Sequence, residues 1–375
     1  MSEASEMVAS PYGGRLIQNV IEEPHEDLPM LEIGRRYALD AEKIGIGAYS
    51  PLEGFMGSSD LENVLYKNEL NNGLPWTIPI ILPVMAPPEE GERVYLNLNG
   101  NRFGFLEVEE VFRFNKKEIA EKVYSTLSPE HPGVAQVMSE PETAVSGKVW
   151  IFRRVSRDKT PAETREIFKK LGWRDVAGYQ TRNPPHRAHE YVIRVAMEFV
   201  DGVFIHPVVG ELKNDDFPPE AIVEAYDYFV KNYLPKNRAL LDTLTIPMRY
   251  AGPKAAVFYA IIRRNYGCTH FVVGRDMAGV GNFYDPYGAQ KMLREMDLGV
   301  EIIPVGEAFY CDICEGIVSE RSCDHNARKK ISMTLIRKLL SQGEEPPREI
   351  IRPQIASILK RYYKNTESLA SSRRG

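Results

Sequence analysis

Cysteine is scarce in this 375-residue chain: there are four, none before position 268, and three of them crowd into 311–323. So sparse a set excludes a disulfide-built scaffold, and its clustering points to a bound metal more than to crosslinks. Long apolar runs are missing too. AAVFYAII at 255–262 falls well short of the roughly 20 residues needed to cross a bilayer, so no membrane partner is expected. Positive charge is not in excess either: 47 Lys and Arg face 52 Asp and Glu, a net charge of −5. That balance argues against a general affinity for nucleic acid or anionic lipid, so any anion must be bound locally. The opening MSEASEMVASPYGG carries two glutamates and no apolar core, reads as neither signal nor transit peptide, and leaves the cytoplasm as the expected location.

What is present is an ordinary globular composition, 43% apolar and 26% charged, with length enough for two or three domains. Residues 1–165 hold short apolar segments punctuated by turn signals, and VYLNLNGNRFGFLEV reads as a hairpin turning at Asn99-Gly100-Asn101, so this part is expected to be β-rich. From 166 to 320 the rhythm changes. Strands are expected at 175–181, 203–209, 239–246, 270–274 and 300–305, with helices at 186–199, 218–233, 253–266 and 288–297; such alternation predicts an α/β fold with a doubly wound parallel sheet. Residues 321–375 read as a small, charged, mostly helical domain whose last ten residues look frayed.

In a doubly wound sheet, ligands bind beyond the carboxyl ends of the strands where the strand order reverses, so the segments after the first and fourth strands face one crevice. The first is QTRNPPHRAH, 180–189, and the fourth ends in VVGRDMAGVG, 272–281. Gln180, Arg182, Asn183, His186 and His189 supply donors at a helix start, a natural anion site. Gly274, Arg275 and Asp276, with the small Ala278 and Gly279, give a second arginine on a loop that a ligand can approach closely. Two histidines at i, i+3 could simply cap a helix, and GRDMAGVG alone is a weak signal, but the two motifs together favour an anion site. A zinc-protease reading fails, because that motif needs i, i+4 histidines around a glutamate. Arg249 and Lys254, around the turn that opens the next helix, fit either phosphate binding or plain solvation. The run CDICEGIVSERSCDH reads C-x2-C-x8-C-x-H. Cys311, Cys314, Cys323 and His325 form a complete tetrahedral set for a structural Zn2+; a redox pair or free buried thiols are the alternatives.

QTRNPPHRAHE, YAGPKAA, CTHFVVGRDMAGVG and GAYSPLEGFM at 47–56 together closely resemble the ATP sulfurylase family, over roughly residues 15–345. The resemblance implies a PUA-like domain over 1–165, a Rossmann-like nucleotidyltransferase domain over 166–320 and a small carboxyl-terminal segment, with no fused kinase expected. The activity it implies is sulfate plus MgATP giving adenosine 5′-phosphosulfate and pyrophosphate, reversibly, by direct in-line attack of sulfate on the α-phosphorus. On this resemblance Thr181, Arg182, Asn183, His186 and His189 are catalytic, and Gln180, Arg182, Arg275 and Ala278 hold sulfate. Gly274, Arg275, Asp276, Met277 and Phe309 join Gln180, Arg182, Asn183 and the two histidines around the nucleotide. Zinc at the cysteine cluster, Mg2+ carried with ATP and a homodimer are implied likewise. Three positions depart from the family pattern: Met277 stands for a histidine, Lys254 for a frequent arginine and Met333 for a glycine. A related nucleotidyltransferase with another anionic acceptor is the runner-up. An RNA-binding protein with a degenerate nucleotide fold is the rival from another class.

The chemistry gives these residues their logic. Sulfate is a poor nucleophile that must approach an anionic triphosphate, so Coulomb repulsion is the main obstacle. Arginines answer it with charge and bidentate geometry. Charge building on the leaving pyrophosphate needs donors already in place. No general base is required, since sulfate has no proton to lose at neutral pH.

Overall fold

The computed structural model describes residues 8–210 and 217–372, with the backbone path alone for 364–372. In the first part, β1 (Met30–Glu32), β2 (Gly54–Phe55), β3 (Leu82–Pro83), β4 (Arg93–Leu98), β5 (Asn101–Arg113) and β6 (Thr143–Ile151) form one sheet, with β1-β4-β5-β6-β2 in spatial order and β3 also on β6. The expected hairpin is β4–β5. Asn99 and Gly100 both take positive φ, 52° and 79°, the backbone that a two-residue turn between twisted strands demands. Helices α1 (Arg35–Gly45), α2 (Ser58–Tyr66), α3 (Lys116–Tyr124) and α4 (Pro132–Ser139) complete this part.

Helix α5 (Pro161–Leu171) leads into the second sheet, β7 (Val176–Tyr179), β8 (Gly202–Ile205), β9 (Ala239–Leu241), β10 (His270–Val273) and β11 (Glu301–Pro304). Its order is β11-β10-β7-β8-β9, parallel throughout. The doubly wound expectation is met, with the order reversing between β7 and β10. Helices α6 (Arg187–Met197), α7 (Pro219–Tyr233), α8 (Pro253–Asn265) and α9 (Gly288–Glu295) supply the crossovers. Successive side chains of a strand face opposite layers. Phe204 therefore joins the layer of α8 and α9, while Val203 and Ile205 join that of α6 and α7.

The region from 321 on is mostly helical, as expected, but a small sheet that the sequence did not announce precedes its helices. Strands β12 (Ala308–Cys311), β13 (Gly316–Ser319) and β14 (Arg328–Lys329) make a small antiparallel sheet ordered β13-β12-β14. Only then come α10 (Met333–Ser341) and α11 (Pro353–Ser372). The tail expected to fray is helical through Ser372, and 373–375 lie outside the described residues. This region docks onto α6 through Glu190, whose buried carboxylate accepts from Arg352 at 2.7 and 2.9 Å and from Arg194 at 3.0 Å.

The two sheets are joined by polar contacts sealed from water. Asn265, at the end of α8, donates to the carbonyls of Ala48 and Ser50 at 3.1 and 2.9 Å and accepts from the Tyr12 N–H at 2.9 Å. The GAYSPLEGFM segment is thus a docking loop for the second sheet. Lys43 on α1 pairs with Glu42 at 2.9 Å and Asp158 at 2.8 Å. Asp158 in turn accepts from the hydroxyls of Thr243 and Thr245, which leaves neither buried charge without a partner.

Candidate active site

Strands β7 and β10 lie side by side, so the bends that follow them share one crevice of about 370 Å³. After β7, the Thr181 hydroxyl accepts from the Asn183 N–H at 3.1 Å and donates to the Asn183 carbonyl at 3.2 Å. That reciprocal pair fixes the bend, and Pro184 and Pro185 are buried behind it. His186 caps α6: its Nδ1 accepts the His189 N–H at 3.2 Å. With Nδ1 an acceptor, the ring of His186 carries its proton on Nε2. His189 donates from Nδ1 to the Pro184 carbonyl at 3.1 Å, the opposite tautomer.

Burial holds both rings neutral. The pKa of His186 is driven well below the usual imidazole range by desolvation and then by His189. That of His189 is lowered to about 4, also by burial, with the Pro184 carbonyl opposing. The positive end of the α6 dipole favours an anion there, although the N–H groups of Arg187 and His189 are already taken by the Ile350 carbonyl and by His186 Nδ1.

Across the crevice, the loop after β10 turns through two non-glycine residues with positive φ, Asp276 at 54° and Ala278 at 56°. It is held by Asp276 N–H to Pro286 O at 2.7 Å and Gly252 N–H to Ala278 O at 3.1 Å. A side chain at Gly279 would put its Cβ 2.1 Å from Asp276 Oδ1, so it would push the Asp276 carboxyl from its place. Burial raises the Asp276 carboxyl above its ordinary pKa against the opposing pull of Arg275 and Arg182. The Arg182 guanidinium lies over the Tyr250 ring, 5.2 Å from its centroid. Arg275 reaches Glu307 at 3.7 Å.

Gln180, Thr181, Arg182, Asn183 and His189 line one wall, and Gly274, Arg275, Asp276, Met277 and Ala278 the other. The Gln180 Oε1 is buried without a protein partner. His186 is 9% exposed and stacks behind His189. Phe309 does not join them. Its side chain packs with Cys311 and Cys323 under the Arg328 guanidinium, because alternation along β12 turns Ala308 to the crevice and Phe309 away.

Arg249 also lies elsewhere than a phosphate site or a solvated surface. It is buried at the junction of the two sheets, 2.5 Å from Asp40 on α1. Lys254 is not among the lining residues either; burial, with Lys122 nearby, lowers its pKa to about 8. Sequence reasoning missed Glu307, Lys330 and Met248, which do line the crevice. Their loops carry no motif, and only Lys330, in a basic run beside a short strand, left any signal. A larger groove of about 530 Å³ lies beside Asp175, Asp201 and Arg238, at the amino-terminal end of the strands and away from these loops.

The cysteine cluster is assembled as the spacing predicts. His325 Nδ1 lies 3.5, 3.3 and 3.5 Å from the Sγ atoms of Cys311, Cys314 and Cys323, and the latter two sulfurs are 3.7 Å apart. Tetrahedral zinc with ordinary bond lengths requires about 3.8 Å between sulfurs and about 3.6 Å from sulfur to nitrogen. The donor set fits a metal such as zinc, and the two-residue step from Cys323 to His325 does not prevent it.

A parallel sheet whose reversal point carries two arginines, a capped pair of histidines and a tight backbone loop has the form of a nucleotidyltransferase. The comparisons with known proteins agree. The ATP-sulfurylase family profile matches residues 156–362, and a PUA-like domain profile matches 9–154. A sulfate adenylyltransferase of Chloroflexus aurantiacus is 43% identical over 368 residues, covering 94% of this chain and 97% of its own length. One from Thermococcus onnurineus is 40% identical over 375 residues, with 96% and 99% covered. A solved structure described as a hexameric APS kinase from Thiobacillus denitrificans superimposes with a TM-score of 0.74 at 24% identity, over 94% of this chain and 68% of that one, a likeness of fold. The chain belongs to the ATP-sulfurylase family, and the activity it carries is that of a sulfate adenylyltransferase. No described helix is long and apolar enough to cross a membrane.

Proposed function

We propose that the crevice between β7 and β10 joins sulfate to the α-phosphorus of MgATP by direct in-line attack. The observation that carries this reading is the placement of Arg182 and Arg275 on opposite walls of one crevice, each at the end of a central strand. Two guanidiniums meet a tetrahedral dianion bidentately and cancel the repulsion that keeps it from the triphosphate. The Gln180 amide and the Ala278 N–H orient it. The nucleotide lies along Gly274–Met277, with its phosphates toward Asn183 and the start of α6. As pyrophosphate leaves, His186 donates from Nε2–H to the growing charge. His189, bare at Nε2, becomes a donor by taking a proton from the solvent of the open crevice as the anion arrives. Thr181 acts by holding the bend.

Mg2+ enters as part of the nucleotide substrate. Cys311, Cys314, Cys323 and His325 would hold Zn2+ with four protein ligands and no open position, so the metal would support the fold beside the site and take no part in the reaction. The domain division at 165 and near 320, a cytoplasmic location and a homodimer belong to the same reading. Pyrophosphate release measured with sulfate, and with phosphate in its place, tests the acceptor. Sulfate-dependent release that is lost in Arg275→Ala supports the assignment, and release independent of sulfate contradicts it.

A further inference from the structure

A buried histidine of the first domain reaches the acceptor arginine through one tyrosine. His131 is fully buried at the start of α4, where its Nδ1 accepts the N–H groups of Gly133 and Val134 at 3.1 and 3.4 Å. That places its proton on Nε2. Nε2 lies 2.9 Å from both the Tyr250 carbonyl and the Tyr284 hydroxyl, and that hydroxyl donates to the same carbonyl at 3.0 Å, so the imidazole and the phenol hold the carbonyl together. A side chain at Gly252 would strike the Tyr284 ring, with a Cβ 2.5 Å from its Cγ, so the loop is pressed flat against that ring. Tyr250 is 7% exposed; its ring lies beneath the Arg182 guanidinium and its hydroxyl is 3.5 Å from Nη1.

We propose that Tyr250 and His131 are positioning residues for Arg182, so that the first domain helps set the sulfate site of the second. The inference rests on the reading of Arg182 as the sulfate ligand. An arginine side chain has many rotamers, and holding it in place before the dianion arrives removes an ordering cost from binding. An aromatic face does this without cancelling the charge, as a carboxylate would. His131, anchored at a helix cap, fixes the carbonyl of the residue that bears that face. The relay explains why a buried imidazole from α4 crosses the domain junction.

The test is steady-state pyrophosphate release at varied sulfate and varied ATP, with melting temperatures, for Tyr250→Leu, Tyr250→Phe, His131→Asn and Arg182→Ala. Tyr250→Leu should raise the sulfate KM about tenfold, the scale of a partly desolvated cation–π contact, and change the ATP KM less than about twofold. Tyr250→Phe keeps the ring and should rescue most of that loss. His131→Asn keeps an acceptor for the helix cap but loses the donor to Tyr250; it should raise the sulfate KM several-fold with kcat and ATP KM little changed. An unchanged sulfate KM in Tyr250→Leu, or an equal rise for ATP, overturns the inference. If Tyr250→Leu does not fold, His131→Asn at parental sulfate KM overturns it instead. Normal turnover in Arg182→Ala overturns the underlying reading of Arg182, a separate outcome.

Discussion

His189 stacks face to face on His186, with ring centroids 3.7 Å apart and planes 10° from parallel. Two imidazolium ions so close would repel each other strongly. The backbone bonds at the start of α6 give the pair opposite tautomers instead.

The first prediction follows from that pair. In the free enzyme, His189 should titrate near 4 and His186 well below the usual range, readable by NMR of the imidazole protons. Both pKa values are depressed on folding, so the unfolded chain takes up protons first as pH falls. Stability is therefore full above about pH 6.5 and declines toward pH 4. ATP should raise the His189 pKa, and an unshifted titration with ATP bound contradicts its proposed donor role.

Glu190 sits one position after His189 and ties α6 to the carboxyl-terminal region. Burial opposes its charge, but Arg352, Arg194 and Arg187 outweigh it and hold its carboxyl below the usual range. Its stabilising contribution is present above the unfolded carboxyl pKa and is lost as pH falls through the lower folded value. Glu190→Ala should cost about 3 kcal/mol and lower kcat as well, because the same helix carries the two histidines. Denaturant unfolding and turnover measured together check this.

Much of the second sheet was legible because its strands are short apolar runs and because α6 opens at His186 and α7 and α8 open at proline. The crevice was legible for the same reason, since strand order alone brings Arg182 and Arg275 together. The domain junction was not. Asp40 meets Arg249 across 209 positions, and a loop whose contribution is the carbonyls of Ala48 and Ser50 leaves no side-chain signature. The strands around the cysteine cluster escaped because they are short, four residues each for β12 and β13 and two for β14. His131 was missed because a helix-capping histidine looks like any other until its second nitrogen is followed across the junction.

Asn265→Ala tests that junction. It would leave the carbonyls of Ala48 and Ser50 and the N–H of Tyr12 buried without their partner, at a cost of about 3 kcal/mol or more. Calorimetry should show a lower melting temperature. Wild-type stability would mean that the docking loop contributes little.

The cysteine cluster predicts about one zinc per chain, measured on protein purified without chelator. Cys314→Ser should lower the melting temperature far more than activity at a permissive temperature, because metal binding here is folding free energy. His325→Ala should lower zinc content, given a ring nitrogen within 3.5 Å of all three sulfurs. Unchanged content would point to Asp324 or water as the fourth ligand.

The central claim is that Arg182 holds the acceptor dianion in the crevice between β7 and β10, and pyrophosphate release by Arg182→Ala under saturating ATP tests it most directly. An arginine on a site loop contributes charge more than core packing, so the variant should keep its melting temperature within a few degrees and lose sulfate-dependent turnover. Arg182→Lys should recover little, because bidentate geometry is gone. Near-normal turnover in a folded Arg182→Ala enzyme would contradict the account.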